Sequence, residues 1–197
     1  MPNPTQEEIR ALMDLFHGFD QKIGRTNVIE VFEHGKSESK SWTEDGSAAF
    51  SQWEKHIKSD GAGLGIVPLR DDNTILWGAI DIDVYPIDID DLFKKVTDSE
   101  CPLIVFRSKS GGAHLIAFFD EPVPADKGQQ FLQHWAHKLG FGNAEIFPKQ
   151  TTRNNSDEVG NWLNMPYYGG MDGGRYAIIN GKPVTLTQFL KGMNDEN

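Results

Sequence analysis

The chain has 197 residues, 38% of them hydrophobic and 11% aromatic, enough to fold around a real core as one domain or two small lobes. A formal charge of −10 argues against bulk attraction to nucleic acid, and the single cysteine, Cys101, excludes an internal disulfide and a cysteine-built zinc site. No run of about eighteen apolar residues is present to span a membrane, and the polar opening "MPNPTQEEIR" is unlike a secretory signal, so a reducing, cytoplasmic setting is expected.

Thr5 and Glu8 have the spacing of a capping box, and Ile9, Leu12, Met13, Phe16 and Phe19 form a helical stripe behind it. "TNVIEVFEH" predicts a strand. Ser47 is placed to cap a second helix with Phe50, Trp53 and Ile57 inward. "GAGLGIVPL" and "NTILWGAIDID" predict two strands of a hairpin, joined at a turn on Asp72 and Asn73. "DIDDLFKKVTD" predicts a short helix, and "PLIVFRSKSGGAHLIAFF" a hairpin around a glycine turn. "PADKGQQFLQHWAHKLG" predicts a helix with Phe131, Leu132, Trp135 and Leu139 inward and Gly140 as its stop. "AEIF" and "NWLNMPY" predict short extended pieces, with a mobile polar loop between them, and "TLTQFLKGM" a last helix. Alternating strands and helices with hairpins imply an α+β sandwich around a mostly antiparallel sheet. The tail "GMNDEN" carries no clear stop, as expected of a chain cut before a linker.

Asp-Ile-Asp occurs twice, at Asp81–Asp83 and at Asp88–Asp90. Side chains alternate across a strand, so Asp81 and Asp83 share a face with Trp77 and Ala79, with Cα atoms about 6.6 Å apart, two strand rises. Two carboxylates at that spacing either converge on one or two divalent ions or form a solvated strand end. Hard oxygen ligands suit magnesium or manganese, and paired ions serve both oxygens of a phosphoryl transfer. Asp88, Asp90 and Asp91 instead follow Pro86 and precede "LFKKV", where acids cap a helix and complement its dipole.

"RSKSGGAH" gathers Ser108, Ser110, Gly111, Gly112 and His114 in one turn. Glycines let backbone N–H groups approach a phosphate, and Arg107 and Lys109 add charge. The plainer alternative is an ordinary hairpin turn with a surface histidine. Glu145 shares its strand face with Phe147, as an edge acid or a site acid. Lys149 and Arg153 are solvated charges, or phosphate contacts if Glu145 lies in a site. His134 and His137 have a zinc-compatible spacing with no third soft ligand near them. "GGMDGGRY" predicts a flexible turn, in which Arg175 could follow a template phosphate. Tyr167 and Tyr168 are core residues or a base-stacking surface.

In order, these segments resemble the catalytic domain of archaeo-eukaryotic primases and primase-polymerases, over about Gly61 to Tyr168. "GLGIVPLRDDNTILWGAIDID" resembles the strand-turn-strand that leads to the family's acidic motif. "FRSKSGGAHLIAFF" resembles its serine-histidine nucleotide motif. "AEIFPKQ" with "GNWLNMPYY" resembles the third motif of a subgroup found in bacterial conflict systems, CRISPR-linked primases and phages. The resemblance implies a two-layer core with an RRM-like sheet, preceded by an N-terminal α/β module. One catalytic domain would cover 1–197, divided into a module over 1–60 and a core over 61–197. It further implies DNA-templated nucleotidyl transfer, initiating or extending a primer. Asp81, Asp83 and Glu145 would hold two Mg2+ or Mn2+ ions. Lys109, Ser110, Gly111, Gly112, His114, Lys149 and Asn161 would bind the incoming NTP or dNTP, and Arg107 and Arg153 the DNA template and primer. Gly112 stands where many members have serine, so the serine contact passes to Ser110 or to backbone. No helicase motif is present, so a helicase domain or protein is an expected partner. The setting implied is the cytoplasm of a prokaryote or of a virus-infected host, with no membrane. The rivals are a replication-initiator nuclease, which needs a histidine pair and a nucleophilic tyrosine such as Tyr168, and a non-catalytic module that binds nucleotides or single strands.

Overall fold

The computed structural model describes residues 3–31, 37–154 and 158–195. Residues 32–34 of the first predicted strand and 155–157 of the predicted polar loop lie outside the described residues. Helix α1 (Gln6–Leu15) opens on the expected capping box. Thr5 Oγ1 accepts from the Glu8 N–H at 3.2 Å, and Glu8 Oε2 accepts from the Thr5 N–H at 2.7 Å. It buries Ile9 and Leu12, with Phe16 just beyond.

Strands β1 (Lys22–Val31) and β2 (Ser37–Asp45) follow as a long antiparallel hairpin, in register from Lys22 opposite Asp45. The second strand, "SESKSWTED", has no apolar alternation and was not expected. It is an edge strand, held by its ladder to β1 rather than by burial. Helix α2 (Phe50–Ile57) starts at Ala49 without a side-chain cap, so Ser47 does not cap it. Burial of Trp53, His56 and Ile57 carries this helix instead.

Strands β3 (Gly63–Ile66) and β4 (Thr74–Ile82) do not form the predicted hairpin. The turn itself is present: Asp72 Oδ1 accepts from the Thr74 N–H at 3.1 Å, and Asn73 has φ of +60°. Residues 67–73 separate the two strands, too many for the tight turns that pair neighbours directly. The two strands therefore enter different sheets. The remaining elements are α3 (Ile89–Asp98), β5 (Ile104–Arg107), β6 (Ala113–Pro124), α4 (Ala125–Lys138), β7 (Glu145–Phe147), β8 (Leu163–Asn164), β9 (Ala177–Ile179), β10 (Lys182–Pro183) and α5 (Leu186–Asp195). Gly140, at φ +82°, stops α4 as expected. Leu132 and Leu139 are buried there, while Phe131 and Trp135 are only partly so.

Among the described residues all strand pairs are antiparallel, in a four-stranded sheet β2-β1-β3-β8 and a six-stranded sheet β10-β9-β5-β6-β4-β7. The fold is α+β, as expected. Strands from both sides of residue 61 share the smaller sheet, so the division between 1–60 and 61–197 does not follow the sheets. One face of the larger sheet carries Ile80, Leu115, Val105 and Ile178, and packs on Leu92 and Val96 of α3 and Leu132 and Ala136 of α4. The other face carries Trp77, Ala79, Ile116 and Phe106, and meets Phe16, Trp53 and Phe189 from the α1, α2 and α5 regions.

His56 ties α2 to β3 and to the segment after β8. Its Nδ1 accepts from the Leu64 N–H at 2.8 Å, so Nε2 carries the proton and donates to the Pro166 carbonyl at 2.8 Å. Burial, with Arg175 and Arg25 nearby, pushes its pKa down to about 3 against the Pro166 hydrogen bond. No helix among the described residues is long and apolar enough to cross a membrane.

Candidate active site

The apolar face of the larger sheet changes character at one end. In strand β4 the alternation Trp77, Ala79, Asp81 replaces a core side chain with a carboxylate on the same face. Asp81 is directly opposite His114 on β6 and directly opposite Glu145 on β7. His114 in turn is opposite Phe106 on β5. Three polar side chains therefore stand in one row across three adjacent strands. Residues 147 and 79, one step back in the same register, are core, so Glu145 and Asp81 mark where that core ends.

His114 Nε2 lies 3.4 Å from Asp81 Oδ1, with both side chains largely buried at 9% and 15% exposure. Asp83 lies just past the end of β4 and is exposed. Its Oδ1 accepts from the Tyr85 hydroxyl at 2.7 Å. Burial raises the Tyr85 pKa to about 12, with further support from the Asp83 hydrogen bond and charge. Tyr85 also hydrogen-bonds Ser110, and so bridges the acidic strand end to the glycine hairpin. Sequence reasoning passed over Tyr85; its signal is a phenol two residues beyond the second acid. Glu145 is exposed and pairs with Lys149 Nζ at 2.8 Å, whose ammonium also lies 5.2 Å from the Phe147 ring.

The hairpin turn supplies the rest. The Ser108 N–H donates to the Gly112 carbonyl at 2.9 Å, and the Gly111 N–H to the Ser108 carbonyl at 3.2 Å. Gly111 has φ of +81°, which glycine adopts without strain. Gly112 is needed for space: a Cβ there would sit 2.5 Å from the Ile82 carbonyl oxygen and 3.3 Å from Ser108 Oγ. Ser108, not Ser110, is thus the hydroxyl beside that glycine, and it is buried. Lys109 crosses to the smaller sheet and donates to Ser39 Oγ at 2.6 Å. Burial lowers its pKa, Arg175 lowers it further, and Asp83 opposes both.

Other predicted residues are placed differently. Arg153 is turned inward: its guanidinium stacks 3.6 Å over the Phe19 ring and donates to the carbonyls of Leu69 and Glu158. A guanidinium committed to backbone carbonyls is a loop anchor. Arg107 is exposed, with Nη1 3.4 Å from the Tyr176 hydroxyl. Asn161 is held by Gln150, accepting on Oδ1 at 2.6 Å and donating its N–H to Oε1 at 3.2 Å. It shapes the loop after β7. His134 and His137 are exposed. The Tyr168 hydroxyl donates to the Gly61 carbonyl at 2.7 Å. Arg175, expected in a flexible turn, is buried.

The donor chemistry at the strand ends fits a hard divalent cation: Asp81, Asp83 and Glu145 offer only carboxylate oxygens. Among the described residues, however, no three His, Cys, Asp or Glu side chains are gathered closely enough to hold an ion. Each of the three acids is held by a neighbour instead: His114, Tyr85 and Lys149. Cavities lie elsewhere among the described residues. One of about 520 Å³ lies between α3, Val84, Pro86 and Phe141, and one of about 410 Å³ between Ile9, Tyr167, the 169–172 turn and the start of α5. Neither includes Asp81, Asp83, His114 or Glu145. Their shape is secondary here to the convergence of charge at the open strand ends.

Two comparisons with known proteins find likenesses. The family model described as "TOTE conflict system, Archaeo-Eukaryotic Primase domain" matches residues 30–178. Among solved structures, the chain is similar to the AEP domain of the primase-polymerase of cyanophage S-2L. That similarity covers 96% of this chain and 98% of the other, at 16% sequence identity and a TM-score of 0.47. No curated protein matches the chain.

Proposed function

The chain belongs to the family of archaeo-eukaryotic primase domains of TOTE conflict systems, and we propose that it is a metal-dependent nucleotidyltransferase that extends or initiates a primer on a DNA template. The observation that supports this most directly is the row His114–Asp81–Glu145 across β6, β4 and β7, with Asp83 and the glycine hairpin beside it. It sets carboxylates next to phosphate-type donors on one sheet face.

In this reading Asp81, Asp83 and Glu145 would hold Mg2+ or Mn2+, which would supply positive charge beside the phosphates and the 3′-hydroxyl. Lys109, His114 and the Ser108–Gly112 turn hold the triphosphate of an incoming NTP or dNTP. The primer 3′-oxygen bonds to the α-phosphorus, the bond from that phosphorus to the bridging oxygen breaks, and pyrophosphate leaves with the electron pair. The hydroxyl proton passes to solvent. The protein contributes placement and electrostatics, which is most of what phosphoryl chemistry requires. Tyr85 keeps Asp83 oriented.

The test is incorporation of a labelled nucleotide on a primed DNA template with manganese. Template-dependent extension is expected. A folded protein that incorporates nothing under those conditions, with either sugar, would refute the reading.

A further inference from the structure

The three acids at the strand ends are held by partners of different kinds. Glu145 pairs with the Lys149 ammonium at 2.8 Å, and Asp81 faces the His114 imidazole at 3.4 Å. Asp83 meets a phenol instead: its Oδ1 accepts from the Tyr85 hydroxyl at 2.7 Å. None of the ion pairs among the described residues includes Asp83. Lys109 acts on it only at longer range. The difference matters for a cation. An ammonium at a carboxylate offsets its charge and competes for the same oxygens. A neutral hydroxyl fixes the carboxylate and leaves its charge in place.

Tyr85 is itself fixed. Its hydroxyl has one proton, which goes to Asp83, so toward Ser110 it accepts and the Ser110 hydroxyl donates. The phenol oxygen stands beside the glycine hairpin, 3.5 Å from where a Cβ on Gly112 would be. A chain of hydroxyls therefore runs from Ser110, in the turn after β5, through Tyr85 to the carboxylate just past β4. Tyr85 is partly buried and Asp83 is exposed. A polar pair open to water contributes little to stability, so the fold gives no reason for this arrangement. A function does. A carboxylate at a strand end samples several rotamers, and a hydrogen bond that narrows them lowers the entropic cost of binding there.

We infer that Tyr85 is a positioning residue: it orients Asp83 for a divalent cation without offsetting the carboxylate's charge, and Ser110 holds Tyr85 in place for that task. That a cation binds at Asp83 rests on the nucleotidyl-transfer reading. The hydroxyl chain that orients Asp83 stands on its own hydrogen bonds. Tyr85 acts only through Asp83, so its removal is felt as a loss of metal affinity and not as a loss of fold.

The experiment titrates the whole chain with Mn2+ in the absence of nucleotide, reading free Mn2+ by electron paramagnetic resonance. Asp83→Asn identifies the binding at Asp83, as that which the wild type shows and this variant lacks. A folded Tyr85→Phe variant keeps the ring and loses the hydroxyl. It should show that binding about 10- to 100-fold more weakly, the range for groups that orient a metal's ligands, and melt in EDTA close to the wild type. Adding Tyr85→Phe to Asp83→Asn should cause no further loss, because the phenol acts through that carboxylate. Wild-type affinity in Tyr85→Phe, or a further loss in the double variant, would overturn the inference. Should Tyr85→Phe not fold, Ser110→Ala takes its place: it should bind several-fold more weakly, and unchanged affinity would overturn the inference. A wild type with no Mn2+ binding that depends on Asp83 would overturn the inference together with the metal assignment of the transfer reading. Mn2+ binding that depends on Tyr85, in a protein that incorporates no nucleotide, would keep the inference and refute the transfer reading instead.

Discussion

The tripeptide Asp-Ile-Asp occurs twice within ten residues, and its two copies meet different surroundings. In the first, Ile82 is buried under the larger sheet while Asp81 and Asp83 project from the opposite face, toward His114, Tyr85 and the glycine hairpin. In the second, Asp88 is the N-cap of α3. Its Oδ1 accepts from the N–H groups of Asp90 and Asp91, both at 3.0 Å, and the three acids sit on exposed surface at the positive end of the helix dipole. A strand end with core on one side and acids on the other concentrates charge. A helix start disperses the same charge onto backbone amides. The tripeptide is neutral with respect to function, and the secondary structure around it decides.

The comparison breaks most visibly in catalysis. Asp81→Ala and Asp83→Ala should each lower nucleotide incorporation by at least about a hundredfold while the fold is retained, measured by primer extension beside circular dichroism. Normal extension by either folded variant would remove that acid from the site. His114→Ala should weaken nucleotide binding by about 10- to 150-fold, the range for a charge-assisted contact of about 1.5–3 kcal/mol, read by calorimetric titration. Unchanged affinity would leave His114 as a partner of Asp81 alone.

Such measurements belong above pH 6.5, because of His56. Its folded pKa of about 3 lies below the ordinary value of 6.5. The unfolded chain therefore takes up a proton in that window and the folded one does not. Stability is full above 6.5 and falls as pH drops toward 3, by about 1.4 kcal/mol per pH unit from this group. Urea melts of the wild type and of His56→Gln should show the variant less stable at pH 8 and with a shallower acid slope. Equal slopes would locate the acid sensitivity elsewhere.

The smallest effects belong to the second pair. Asp88→Asn with Asp90→Asn should polymerise normally and melt slightly lower, because asparagine caps as well and only about 0.3–1 kcal/mol of dipole interaction per charge is lost. Asp88→Ala removes the cap itself and should cost about 1 kcal/mol, a fall of about 2–4 °C in Tm by calorimetry. A folded Asp88/Asp90 variant that is catalytically dead would reverse the assignment of the two pairs.

Much of this was legible in the sequence. Local signals act over three or four residues: the Thr5–Glu8 box, the Asp88 cap, the Gly140 stop and the alternation through Trp77, Ala79 and Asp81 were all expected and are all found. The order of the motifs was enough to suggest the family to which the chain belongs. Tertiary structure decided what depends on distant partners. It sent β3 and β4 into separate sheets, and paired the polar "SESKSWTED" as an edge strand. It turned Arg153 onto Phe19 and backbone carbonyls, and it put Ser108 rather than Ser110 beside Gly112. It also buried Arg175 from a glycine-rich turn that predicted mobility. Hydrophobic periodicity reports which face of an element is covered, and caps report where it ends. Neither carries information about which strand lies alongside, and the row that joins His114, Asp81 and Glu145 exists only through that lateral pairing.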